Sequence, residues 1–127
     1  MENQNQMGSP IQQALHDYKA GLGHFTEQMP EIAGKYNEFT GACFAEGKLS
    51  LKEKHLIALG ISLYAQDEYC IIYHMKGCID QGCNKEEIYE AVGVTGAFGG
   101  GAAMSQAVTL VEECIKEFEG GNGSSIN

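Results

Sequence analysis

Residues 56–64 read Leu-Ile-Ala-Leu-Gly-Ile-Ser-Leu-Tyr, and wound into a helix they are apolar on almost every side. A helix without a polar face cannot lie against water, so it must be central or sandwiched at a subunit interface. Just before it, Ser50 and Glu53 stand at capping-box spacing, with Ser50 as N-cap and Glu53 reaching back to it. The chain has 127 residues, enough for one domain with a real core, and everything else in it has to be arranged around this segment.

The remaining punctuation is also helical. Pro10 suits the first turn of a helix through Ile11, Leu15 and Tyr18 that ends near Gly21 and Gly23. Pro30 opens a second, through Ile32, Tyr36, Phe39 and Phe44, closed by Gly47. A helix carrying Cys70 and His74 stops around Gly82, and Asn84 with Glu87 forms another capping box before Ile88, Val92 and Val94. Gly99, Gly100 and Gly101 then break or closely pack the chain, and a last amphipathic helix runs from about Ala102 to Phe118. The small residues from Gly93 to Ala103 are read as packing positions. They lack the Lys-Ser/Thr ending of a phosphate loop. No period-2 pattern competes with the helical one. The expected fold class is all-α, with residues 1–8 a disordered leader, residues 9–119 one helical domain, and residues 120–127 a flexible tail.

Composition narrows the function. A net charge of −9 and a pI near 4.8, with the basic residues scattered, argue against nucleic acid, whose phosphates need clustered cations. The polar amino terminus lacks the apolar core of a signal peptide, and no apolar run approaches the ~20 residues of a membrane span. The expected location is the cytoplasm. Five cysteines, an odd number in a reducing compartment, are read as buried small hydrophobes with one or two reactive exceptions. No cofactor signature is found.

The chemistry is expected between Asp67 and His74. Cys70 and His74 are one helical turn apart, which sets their Cβ atoms roughly 5–6 Å from each other on one face. An imidazole at that distance can accept or stabilise the thiol proton, making the cysteine a nucleophile near neutral pH. Asp67, a turn before Cys70, works in the opposite sense, because a carboxylate disfavours a neighbouring thiolate. His55 lies beside His74 if its helix packs against the Cys70 helix, and is otherwise a surface residue; the sequence leaves both open. Asp67, Cys70, His74 and His55 have the chemistry of a zinc set, but one helix does not easily turn three side chains onto one ion, so no metal is expected.

The segments around His55, from Glu68 to His74, from Gly77 to Gly82, from Asn84 to Val94 and from Phe98 to Ala103 together resemble the carboxymuconolactone decarboxylase/AhpD-like family over roughly residues 30–115. The resemblance implies an all-helical subunit assembling as a trimer or a hexamer. It also implies thiol chemistry: a Cys-x-x-Cys pair whose second cysteine attacks peroxide or a disulfide, a His four residues later, and an upstream Glu in a proton relay. Cys70 matches the nucleophile and His74 the relay histidine. Asp67 stands where the resolving cysteine belongs, and His55 where the relay Glu is usual. Glu53 is two residues away, roughly 200° around the helix. Cys78 lies roughly 12 Å from Cys70 along the helix, beyond the ~7 Å Cα limit for a disulfide, while Cys83 is able to approach Cys78. The reading is a thiol-dependent oxidoreductase reducing disulfides or hydroperoxides, Cys70 being resolved by an external small thiol or a redox protein. The alternatives are a non-redox decarboxylase-type enzyme acting through His74 and a carboxylate on a small lactone or keto acid, and a catalytically silent binding oligomer.

Overall fold

The computed structural model describes residues 8–121; the leader over 1–7 and the tail beyond 121 lie outside the described residues. Every element among those residues is helical, in agreement with the all-α expectation. The chain divides into two compact units, the first ending at Leu51 and the second beginning at Lys52.

The first unit is a helical hairpin. Helix α1 (Pro10–Gln28) starts with Pro10 in its first turn and with the Ser9 hydroxyl accepting the Gln12 N–H at 3.2 Å. It does not stop at Gly21 or Gly23 but continues to Gln28. Two interior glycines lower helix stability by about 1 kcal/mol each without closing a helix. The stop comes from Pro30, which forces Met29 out of helical geometry (φ −135°, ψ 69°) and then opens α2 (Pro30–Phe44).

The second unit holds the candidate site. Helix α3 (Leu51–Ala65) buries Leu59 and Leu63, α4 (Glu68–Asp80) buries Ile71, Ile72, Met75 and Cys78, and α5 (Lys85–Gln106) buries Ile88. The all-round apolar helix is therefore covered on one side only. Ile57, Ile61 and Tyr64 on α3 remain 51, 64 and 62 % exposed. The Asn84 capping box is present, with Glu87 N–H to Asn84 Oδ1 at 2.8 Å and Asn84 N–H to Glu87 Oε1 at 2.9 Å. The other oxygen of Glu87 meets Lys52 Nζ at 2.7 Å, tying the starts of α3 and α5 together.

Of the three adjacent glycines, Gly100 makes the break in α5. Its φ of 64° and ψ of −148° belong to a region that only glycine occupies readily. Beyond it the helix continues through a π-helical segment (Ala107–Val111), α6 (Glu112–Ile115) and a second π-helical segment (Lys116–Gly121). This run sends Val111, Cys114 and Phe118 into the same core as α4.

Candidate active site

The turn between α3 and α4 is short and strained. Gln66 takes a left-handed conformation (φ 60°), and the N–H groups of Gln66 and Asp67 close back onto Leu63 and Ser62 at 3.1 Å each. Asp67 follows at once as the N-cap of α4, its Oδ1 accepting the Cys70 backbone N–H at 3.2 Å. A helix N-terminus ordinarily favours a thiolate in its first turn. Here the cap is itself an anion. The Cys70 thiol, only partly buried, is pushed up from its ordinary pKa by burial first, then by the charge and hydrogen bonding of Asp67. Asp67 acts in the direction expected from the sequence, whereas the lowering expected from His74 is not found.

His74, one turn further on, meets His55 of α3. Their Nδ1 atoms are 3.2 Å apart and the ring centroids 5.4 Å. One ring must donate from Nδ1 and the other accept there, so the pair holds opposite tautomers. Burial lowers both. His74 falls to about 4, through burial and then the proximity of His55, while the lowering of His55 is partly countered by Asp80. At neutral pH both are uncharged. His74 can accept a proton but offers no positive charge to a thiolate.

The sequence left His55 between a relay position and the surface; the structure brings it to His74. The residue that permits this was missed as a site residue. A β-carbon on Gly77 would overlap Cε1, Nδ1 and Cγ of the His55 ring, so the ring lies directly over the α4 backbone at that point. Gly77 is three residues after His74 and on the same face, which was the available signal. Among the described residues no three His, Cys, Asp or Glu side chains are grouped to hold a metal ion.

The depressed His74 has a consequence for stability. An unfolded His binds its proton near pH 6.5, whereas folded His74 does so only near 4. Between those values the unfolded chain holds more protons, so the contribution is present above pH 6.5 and is lost as pH falls towards 4. Its size is roughly 1–2 kcal/mol after allowing for the ring's partial exposure. Denaturant titrations should show wild type losing that much more stability than His74→Gln over this window. Parallel pH profiles for the two proteins would contradict it.

The second unit is all-helical, with a thiol in the first turn of α4 and two histidines in contact one turn later. The chain belongs to the carboxymuconolactone decarboxylase family, which it matches over residues 30–113. It is 32 % identical over 88 residues to uncharacterized protein 4 of the cox locus of Paracoccus denitrificans, covering 69 % of this chain and 79 % of that protein. Among solved structures, a carboxymuconolactone decarboxylase family protein from Legionella pneumophila, in its apo form, is similar with a TM-score of 0.77 and 26 % identity. The match spans 80 % of this chain and 91 % of that one. A family member from Thermotoga maritima, for which involvement in an antioxidative response has been suggested, gives a TM-score of 0.74 and 28 % identity over 89 % of this chain and 97 % of its own.

No described helix is long and apolar enough to cross a membrane.

Proposed function

We propose that the protein is a thiol-dependent oxidoreductase of the AhpD-like branch, reducing hydroperoxides or small disulfides through Cys70. The observation that carries this reading is a partly accessible thiol one turn before a neutral histidine that is hydrogen-bonded to a second one. The antioxidative role suggested for the Thermotoga relative agrees with it. With a hydroperoxide, the Cys70 sulfur takes the terminal oxygen and becomes a sulfenic acid. The O–O bond breaks, and the thiol proton passes, with His74 as acceptor and donor, to the departing alcohol. An external thiol then displaces water to give a mixed disulfide, and a second thiol frees Cys70 and leaves as disulfide. The external thiol is needed because Asp67 stands at the position of an internal one.

Trypsin cleaves after lysine and so isolates Cys70 in the peptide of residues 55–76 and Cys43 in that of residues 36–48. Brief exposure of the native protein to a hydroperoxide, with a sulfenic-acid-trapping nucleophile present, should label Cys70 before Cys43. Equal labelling, or Cys43 first, sinks the proposal. Replacing Asp67→Cys removes the anion and supplies a resolving thiol, so turnover with a limiting external reductant should rise on the order of tenfold. An unchanged rate would mean that Asp67 is not what limits the cycle.

A specific observation supports a second reading. Because Cys70 is held protonated and the His55–His74 pair is neutral, the histidines alone could move a proton on a lactone or keto acid. That activity would be indifferent to alkylation of Cys70.

The subunit is proposed to act as a homo-oligomer, a trimer or hexamer. Ile57, Ile61, Tyr64, Val94 and Phe98 line an apolar groove of about 460 Å³ between α3 and α5, and Phe98 is 82 % exposed. Surface of this kind usually marks an interaction site. Ile61→Glu should shift the mass measured by light scattering towards the monomer, and an unaltered mass would place the interface elsewhere.

A further inference from the structure

The turn that joins α4 to α5 holds two cysteines that the Cys70 chemistry does not use. Gly82 is left-handed (φ 89°). Its N–H closes onto Ile79 O at 3.0 Å, and the next N–H, of Cys83, reaches back to Cys78 O at 2.9 Å. This pair of bonds is the Schellman helix stop, in which the residue after the left-handed glycine packs its side chain onto the one five positions earlier. Here both side chains are thiols. They are 0 and 4 % exposed, on the two residues that the Cys83 N–H to Cys78 O bond joins.

We propose that Cys78 and Cys83 are a redox-active dithiol that closes to an intrachain disulfide across the α4–α5 turn when the protein meets a hydroperoxide. The backbone geometry favours this. A bond between two main-chain atoms already fixes the distance between the residues, so the sulfurs need not be brought together by unfolding. Cys83 is the sulfur that reacts first. It sits on a turn whose neighbours Gln81, Gly82 and Asn84 are all exposed, whereas Cys78 is wholly buried within α4.

The steps balance. Cys83 takes the terminal oxygen of the hydroperoxide to give a sulfenic acid, and its proton leaves with the alcohol. Cys78 then attacks the Cys83 sulfur, the S–O bond breaks, and the hydroxyl departs with the Cys78 proton as water. Two thiols have been oxidised by one peroxide. The disulfide would clamp the last turn of α4, one residue beyond the Gly77 on which His55 rests. This redox site is separate from Cys70 and does not depend on it.

The test uses the full chain. Trypsin isolates both cysteines in one peptide, residues 77–85, apart from the other three. The native protein is treated with a hydroperoxide, unfolded in an alkylating agent, digested and weighed. The expected product is peptide 77–85, two hydrogens lighter and unalkylated, restored to the dialkylated form by prior reduction with dithiothreitol. In Cys83→Ser, Cys78 should remain alkylatable at the same dose. The proposal is overturned if peptide 77–85 stays dialkylated at a dose that fully oxidises exposed Cys43. It is equally overturned if the disulfide forms only in urea, or if Cys78 or Cys83 is recovered joined to another cysteine. Because Cys70 is read in its own peptide, a silent Cys70 beside an oxidised 77–85, or the reverse, separates this site from the proposed activity.

Discussion

Replacing Cys70→Ser is expected to lower hydroperoxide- or disulfide-dependent turnover by about a hundredfold or more while leaving the fold intact. A serine hydroxyl in the same place is a far weaker nucleophile than a thiol, and removing the attacking atom of a covalent mechanism abolishes the route rather than slowing one step of it. The fold should tolerate the change. Cys70 is only partly buried, and the backbone N–H through which the Asp67 cap holds the start of α4 is kept in the serine variant. Thermal unfolding should therefore move little, and Cys43→Ser should behave as wild type in both measurements. Full activity in Cys70→Ser would end the thiol mechanism.

What the sequence disclosed was local. Asn84 and Glu87 form their capping box, because both partners lie within one turn and no distant group competes for them. Asp67 was legible as a field acting against the thiolate but not as the N-cap of α4, although an acidic residue directly before a helix is a cap signal. The first helix was cut short at Gly21 and Gly23, because glycine weakens a helix but only Pro30 or a left-handed residue stops one. The mirror case is Gly100. Three adjacent glycines announced a break, and only the backbone angle shows which one makes it. The meeting of His55 with His74 could not be read, since nineteen residues and a helix packing register lie between them. Its trace in the sequence was indirect, a glycine placed where another helix's ring must fit.

That trace can be tested by Gly77→Ala. In an open helix the substitution would stabilise by about 1 kcal/mol, because alanine is the better helix former. Here the added methyl overlaps three atoms of the His55 imidazole, a ring carried by a separate helix rather than the far end of a flexible chain. Overpacking of this kind costs about 1–3 kcal/mol, so the net outcome should be a destabilisation of roughly 1 kcal/mol, opposite in sign to the propensity effect. The ring has to leave, and the Nδ1–Nδ1 contact goes with it. His74 then loses both the neighbouring imidazole and part of its cover, the two causes of its low value. Its titration, followed by NMR, should move up from about 4 towards the 6.5 of an unperturbed histidine. A double-mutant cycle separates this from a general loss of packing. With His55→Ala in the same chain the methyl has nothing to strike, so adding Gly77→Ala to that background should stabilise rather than destabilise. If Gly77→Ala costs the same with or without the His55 ring, the glycine is not there for the histidine, and the paired imidazoles owe their contact to some other feature of the α3–α4 packing.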